Sequence, residues 1–314
     1  MDVRGNFCRY ERNGFMATAL LFSGQGSQYS GMGRKIYEEN PAAYEEIFKT
    51  GSEILGFDIK KTMFEGTAEE LAKTCVSQPA IFTMSLICGE KYRLSGGEFS
   101  AVAGHSLGEY AAMVLSGMVG LETGYTLIKY RASCMEKAAQ KNGGKMAAVM
   151  CPDTALIEKI CAEVTNGGDY VTPVNYNSKQ QTVIAGSESG IAKASEALTA
   201  SGAKRIVLLA VAAAFHSEYM KEAGLEFKDL ISGITFAEPK KAFYSNVTGG
   251  KLESVEGIAD LLSRHIYSPV KFTSELSAMQ QEGIDNFVEC GPGKTLTGLV
   301  KKTLDDVTAS AMDA

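Results

Sequence analysis

The chain has 314 residues and a formal net charge of −6, and hydrophobic residues make up 45% of it. This length and hydrophobic content predict a globular protein with one large domain and a smaller one. The acidic balance argues against nucleic acid or an anionic membrane surface as the main partner. No apolar run is long enough to span a bilayer. Residues 1–15 are polar and charged without a signal-peptide core, so we expect a disordered extension there and a fold that begins at Met16.

The seven cysteines form no Cys-x-x-Cys pair and have no metal-binding spacing. Several lie in apolar runs, as Cys88 does in Leu-Ile-Cys at 86–88. This usage is typical of reduced thiols in the core of a cytoplasmic protein. We therefore predict a cytoplasmic location and no metal site.

The first predicted strand covers residues 18–22 and runs into the loop Ser-Gly-Gln-Gly-Ser-Gln at 23–28. A dinucleotide fingerprint would need a third glycine where the chain has Tyr29, and a phosphate loop would end in Gly-Lys-Ser or Gly-Lys-Thr. The loop is therefore either a plain tight turn or a binding loop for another ligand. Helices are predicted next at 41–55, at 68–73 behind a capping-box pattern, and at 79–94.

The pentapeptide Gly-His-Ser-Leu-Gly at 104–108 fits the Gly-x-Ser-x-Gly pattern of a nucleophile elbow. A short apolar segment at 100–103 precedes it and a helix-compatible run at 110–115 follows, which gives the required strand–turn–helix context. Glycines allow the sharp turn, and the N–H groups at the helix start face any negative charge that develops beside Ser106. The pattern by itself leaves two interpretations, a nucleophilic serine or a structural turn.

A serine nucleophile needs a general base, and the chain has three histidines. His105 directly precedes Ser106, so its side chain should point away from the hydroxyl group on a tight turn. His216 lies in a segment of small and apolar residues and is favoured as the base. His265 ends an amphipathic run and fits an ordinary helix-end histidine. A hydrogen-bonded structural role for His216 stays open at this point.

Segment 122–140 repeats apolar residues at helical spacing, and Arg131 falls on the same face as Leu127 and Met135. The ordinary explanation is a snorkelling side chain or a buried ion pair. The alternative is a planar fork that binds a substrate carboxylate, for which arginine is better suited than lysine.

After Asn-Gly-Gly at 142–144, the predicted elements follow the order β-α-β-β-α-β, which is the ferredoxin-like arrangement. The strands are predicted at 145–150, 171–175, 182–185 and 204–208, and the helices at 154–164 and 188–201. Strands near 242–245 and 286–289 then return to the first unit. The predicted fold class is α/β, with a large α/β-hydrolase-like catalytic domain at 16–140 and 210–314 and an inserted small ferredoxin-like domain at 141–209.

Taken in order along the chain, these segments closely resemble the malonyl-CoA:acyl carrier protein transacylase family. The matching segments are Phe-Ser-Gly-Gln-Gly-Ser-Gln (22–28), Gly-His-Ser-Leu-Gly-Glu-Tyr (104–110), Arg131, Ala-Phe-His-Ser (214–217), Tyr-Ser-Pro-Val (267–270) and Gly-Pro-Gly-Lys-Thr-Leu-Thr-Gly-Leu (291–299). The resemblance runs from about Met16 almost to the C-terminus. The loop at 23–28 and the small inserted domain distinguish the chain from an ordinary α/β-hydrolase.

The resemblance implies that Ser106 attacks the thioester of malonyl-CoA with His216 as the base. The malonyl ester would then pass to the phosphopantetheine thiol of acyl carrier protein in a ping-pong reaction that supplies fatty-acid synthesis. The backbone N–H groups of Gln25 and Leu107 match the oxyanion-hole positions, and Gln25 also belongs to the substrate-binding set. Arg131 matches the residue that pairs with the malonyl carboxylate.

Phe215 matches a bulky neighbour that accompanies malonyl rather than methylmalonyl selection in related acyltransferases. The backbone carbonyl of His265 matches the group that orients the catalytic imidazole. Two residues depart from the family pattern, because Ser23 replaces a common proline and His265 stands where Gln or Asn is expected. The resemblance implies no cofactor, and we expect a monomer whose partners are malonyl-CoA and acyl carrier protein.

Other functions remain to be weighed against this one. A related acyltransferase could serve polyketide assembly, and a serine hydrolase could use water as the acceptor. A nucleotide-binding or scaffolding protein could use the glycine loops without chemistry. The co-occurrence of Ser106, His216 and Arg131 argues against the last class.

Overall fold

The computed structural model describes residues 17–211 and 213–313, so the extension predicted at 1–15 lies outside the described residues. The helices are α1 Arg34–Glu39, α2 Pro41–Leu55, α3 Ile59–Glu65, α4 Ala68–Ala72, α5 Thr74–Leu94, α6 Gly108–Ser116, α7 Leu121–Asn142, α8 Thr154–Asn166, α9 Glu188–Ala200, α10 Lys221–Ile231, α11 Ile258–Tyr267, α12 Phe272–Gln281 and α13 Thr295–Thr303. The strands are β1 Ala17–Phe22, β2 Ala101–Gly104, β3 Lys145–Met150, β4 Val171–Ser178, β5 Gln181–Gly186, β6 Arg205–Leu208, β7 Ala242–Ser245, β8 Gly250–Lys251, β9 Ile284–Cys290 and β10 Thr308–Ala311.

The larger sheet has the strand order β10-β9-β1-β2-β7-β8, and every pair in it is parallel except β7 with β8. Its central strand β1 is buried from Thr18 to Phe22 because the sheet packs against an apolar cluster on each face, with Leu20 and Phe22 in one cluster and Ala19 and Leu21 in the other. The carboxyl ends of β1 and β2 lie side by side, with Phe22 paired to Gly104. This register brings the loop at 23–28 next to the elbow at 104–108.

The smaller sheet has the order β4-β5-β3-β6 and is antiparallel throughout. Helices α8 and α9 pack on it around a separate apolar core. Its order and connectivity are those of the predicted β-α-β-β-α-β unit. The prediction of an α/β fold with a separate small unit is therefore confirmed. The exact domain limits, 141 and 209, stay a prediction.

Helix α5 begins at Thr74, five residues before the predicted start, and it contains Pro79. A proline in a helix interior removes one backbone hydrogen bond and normally costs about 3 kcal/mol. Residues 77–89 of this helix are all buried, so packing outweighs the local penalty. The sequence did not predict α1, α3, α12, β8 and β10, and all of these except α12 are short elements whose few residues carry little periodicity.

Candidate active site

Strand β2 and helix α6 hold Ser106 on the sharp turn between them, with its backbone in the left-handed region at φ 53°. A Cβ atom on Gly104 would lie 2.0 Å from the carbonyl carbon of Gly108, and one on Gly108 would lie 2.1 Å from the carbonyl oxygen of Phe22. Neither position can carry a side chain in this geometry. The two glycines therefore let the strand, the turn and the helix pack closely enough to present the serine.

The side chains of Ser106 and His216 are in direct contact, with Oγ 2.7 Å from Nε2. The other ring nitrogen, Nδ1, lies 3.0 Å from the carbonyl oxygen of His265 and 3.2 Å from that of Ser268. Carbonyl oxygens only accept, so Nδ1 carries the proton and Nε2 accepts from the serine hydroxyl group. Two backbone carbonyls take the orienting place that a carboxylate takes in a Ser-His-Asp triad.

Burial is the main cause that lowers the pKa of His216 to about 3, and the positive charge of Arg131 is the next. Both effects disfavour the imidazolium form. At neutral pH the ring is therefore neutral, and its Nε2 lone pair is free to take the serine proton.

We expect acylation of the free enzyme to be independent of pH from about pH 8 down to about pH 5.5, because a lowered pKa moves the acid limb of a histidine base to lower pH. Single-turnover release of CoA in a buffer series would measure this. An acid limb centred on the ordinary histidine pKa of about 6.5 would contradict it.

Arg131 lies on α7 with 1% of its surface exposed. One terminal nitrogen donates to Ser106 Oγ over 2.9 Å, and the other donates to Gln78 Oε1 over 2.7 Å. The guanidinium carbon lies 5.3 Å from the ring centre of Tyr110, and Nε has no hydrogen-bond partner. No carboxylate of residues 17–211 or 213–313 forms an ion pair with Arg131. The buried Glu109 acts on Arg131 electrostatically without an ion-pair contact. The cation beside the serine therefore has no directly paired anion, and an incoming one would stabilise it.

A cavity of about 760 Å³ opens onto Ser106 and His216. Its wall combines the loop at 23–28, the start of α13, part of α7 and the face of the small sheet. Gln25 and Phe215 both line it, as their proposed substrate contacts require. Leu107 is buried directly after Ser106 and is the residue that precedes the first turn of α6. The cavity is large enough for an acyl group on an extended thiol arm.

The structure adds site residues that the sequence analysis missed. Gln78 holds Arg131, Ser268 provides the second carbonyl to His216, and Asn246 accepts a hydrogen bond from the backbone N–H of Ser106. Asn246 follows β7, the neighbour of β2. Polar residues at the carboxyl ends of parallel strands commonly form sites, and this signal could have identified Asn246. Gln78 gives no such signal because it lies inside a buried helix.

Ser23, the residue in place of the common proline, donates from its hydroxyl group to Glu289 over 3.2 Å. The same buried carboxylate accepts from the backbone N–H groups of Leu296 and Thr297 at the start of α13. Glu289 therefore ties the loop at 23–28 to the start of α13, and both of these segments line the cavity.

None of the helices in residues 17–211 and 213–313 is long and apolar enough to cross a membrane. Among the same residues, no group of three or more His, Cys, Asp or Glu side chains is placed to hold a metal ion.

Residues 19–313 match the family model described as acyl transferase domain. The chain belongs to the acyl transferase family. It is 38% identical over 284 residues to the malonyl CoA-acyl carrier protein transacylase of Bacillus subtilis, and the match covers 90% of this chain and 89% of that protein. Identity to the enzyme of the same name from Escherichia coli is also 38%, over 94% of this chain and 95% of the relative.

Solved structures agree with these relatives. The acyl-carrier-protein S-malonyltransferase of Burkholderia pseudomallei superimposes with a TM-score of 0.90 at 34% identity, covering 95% of this acyltransferase and 96% of that chain. A malonyl-transacylase solved in complex with a type II PKS acyl-carrier protein has a TM-score of 0.89 at 35% identity, covering 94% and 95% of the two chains.

Proposed function

We propose that this acyltransferase moves the malonyl group of malonyl-CoA to the phosphopantetheine thiol of an acyl carrier protein, through an ester on Ser106. The observation that carries the proposal is the buried, unpaired guanidinium group of Arg131 in contact with Ser106 Oγ. A neutral acyl group would leave this cation without a direct ion pair, whereas a malonyl carboxylate would pair with it.

In the first half-reaction, Ser106 Oγ attacks the thioester carbonyl carbon as His216 Nε2 takes the hydroxyl proton. The backbone N–H groups of Gln25 and Leu107 stabilise the resulting oxyanion, and each such donor contributes about 3 kcal/mol. Collapse of the tetrahedral intermediate breaks the C–S bond. Nε2 then returns its proton to the departing thiolate, so CoA leaves as a thiol and the malonyl-Ser106 ester remains.

The second half-reaction reverses these steps with a different thiol. The phosphopantetheine thiol gives its proton to His216 Nε2 and attacks the ester carbonyl carbon. When the C–O bond to Ser106 breaks, Nε2 returns the proton to Oγ, so the enzyme is restored and malonyl-carrier protein leaves. The Nδ1 hydrogen bonds to His265 and Ser268 keep the ring in one tautomer throughout.

Substrate binding should also change the pKa of the base, His216. The positive charge of Arg131 is one cause of the low pKa of His216. A malonyl carboxylate paired with Arg131 would offset that charge, so the pKa of His216 would rise on binding. The bound substrate would thereby help the imidazole to hold the proton in the transition state.

The expected product supplies fatty-acid synthesis. A role in polyketide assembly is the second candidate, because one similar structure was solved with a type II PKS acyl-carrier protein.

We also propose a cytoplasmic location and a monomer. The location is supported by the free thiols of all six described cysteines, five of which are buried.

Brief exposure to malonyl-CoA without an acceptor should add one malonyl group to Ser106, because a ping-pong enzyme without its acceptor stops at the acyl-enzyme. Intact-mass and peptide mass spectrometry would locate the group, and later addition of unloaded carrier protein should remove it. Ser106→Ala is the control and should stay unmodified. A label on a cysteine, or an active protein that carries no label, would exclude the proposed intermediate.

A further inference from the structure

Asn246 is completely buried behind the serine turn, and all the hydrogen-bonding capacity of its side chain is used. Its Oδ1 accepts from the backbone N–H of Ser106 over 2.7 Å and lies 3.1 Å from His265 Nε2. Its Nδ2 donates to the carbonyl oxygen of Gly104 over 2.7 Å and to Glu275 Oε1 over 2.6 Å. One amide therefore contacts the strand end, the nucleophile and His265.

Two buried carboxyl groups hold Asn246 in place. The backbone N–H of Asn246 donates to Glu109 Oε1, and its side-chain Nδ2 donates to Glu275 Oε1. Neither glutamate has any exposed surface. Burial raises the pKa of Glu109 to about 8 and that of Glu275 well above its ordinary range. None of the proposed proton transfers uses these carboxyl groups.

The backbone of Ser106 needs such support. A residue with a Cβ atom in the left-handed region costs roughly 1 kcal/mol and persists only where its surroundings hold it. The bond from Ser106 N–H to Asn246 holds the backbone of the turn at the nucleophile itself. Loss of this bond would leave the buried N–H group of Ser106 unpaired.

The side-chain amide of Asn246 is also linked to the base, His216, through His265. His265 Nε2–H donates to Asn246 Oδ1, and the carbonyl oxygen of His265 accepts from His216 Nδ1. The amide oxygen of Asn246 is thus the junction between the backbone of the nucleophile and the residue that orients the base.

We propose that Asn246 is a positioning residue that sets the geometry between Ser106 and His216 without touching the substrate. The proposal rests on the proposed transacylase function. It also gives a role to the side chain of His265, which occupies a position where the family resemblance implies Gln or Asn.

Asn246→Ala tests this in single-turnover acylation by malonyl-CoA. The acylation rate should fall by about 100-fold or more, as for a misplacement of about 1 Å between reacting groups. Half-saturation by malonyl-CoA should change by less than roughly threefold, because the cavity and Arg131 are unchanged. The wild-type protein is first labelled at Ser106 in the same assay, so failure of the proposed function would be seen separately.

Asn286→Ala is the matched control. Asn286 bridges Thr18 on β1 and Thr308 on β10, away from the serine turn. Its loss should lower Tm but leave acylation within about threefold of wild type. If Asn246→Ala and Asn286→Ala both lost acylation in parallel with Tm, Asn246 would have only a structural role, and the proposal would be overturned.

Asn246→Asp provides the second measurement, since it keeps an acceptor oxygen for the N–H of Ser106. The introduced carboxyl group is kept neutral by burial and can still donate one hydrogen bond, so one of the two Nδ2 bonds, to Gly104 or to Glu275, is lost. Acylation should therefore fall by less than about tenfold. A loss of 100-fold or more in this variant would overturn the proposal, whether or not Asn246→Ala folds.

Discussion

Replacement of His216 by alanine should lower malonyl transfer by about a thousandfold or more, because general-base catalysis and the activation of the nucleophile are lost together. The imidazole Nε2 is 2.7 Å from Ser106 Oγ. Without it, Arg131 is the one hydrogen-bond partner that the described residues leave to the hydroxyl group, and a guanidinium group cannot accept a proton. Steady-state transfer to carrier protein and single-turnover acylation would both measure the loss.

His265→Ala is the control for this result. The variant keeps the backbone carbonyl that accepts from His216 Nδ1, and it loses the side-chain bond to Asn246 and the contact of Nε2 with Glu109 Oε2 over 3.7 Å. One such bond contributes about 1 kcal/mol, so transfer should fall by about tenfold or less. If His265→Ala were the more damaging of the two variants, the assignment of the base would be wrong.

Arg131→Ala should lower kcat/KM for malonyl-CoA by at least about tenfold and raise the relative preference for acetyl-CoA, because a charge-assisted bond contributes about 1.5 to 3 kcal/mol. The malonyl carboxylate enters a buried site in which its desolvation is tolerable only beside a cation. An acetyl group has no such requirement. Measurement of kcat/KM for both donors gives the ratio directly.

A melting curve separates this role from a structural one. If Arg131 only supports the fold, the variant should lose stability and both activities in parallel, with an unchanged malonyl-to-acetyl ratio. Arg131→Lys is the matched variant, since it keeps the charge but not the planar fork. It should retain part of the malonyl preference and lose the simultaneous contacts to Gln78 and Ser106.

Much of this arrangement could be predicted from local signals. The turn at 104–108 needs its glycines for steric reasons, and the order of elements in the small unit follows from periodicity and breaker residues alone. Helix α2 and strands β3 and β7 have the predicted limits. These features depend on residues that are close in sequence.

The rest depends on contacts between distant segments. Gln78 and Arg131 are 53 residues apart, and Asn246 and Ser106 are 140 apart. No spacing rule relates such positions. The residues that carry the proposed chemistry were identified from motifs and a family resemblance, whereas the buried groups that position them became visible only in three dimensions.

The left-handed backbone at Ser106 also occurs at His216, where φ is 61°. Among the described residues, Asp306 is the only other non-glycine in this region, although 15 glycines occupy positive φ. The backbone conformation alone would favour glycine at both dyad positions. A screen for thermostable variants that ignored activity would therefore have a backbone reason to replace either residue, so any such library should hold both codons fixed.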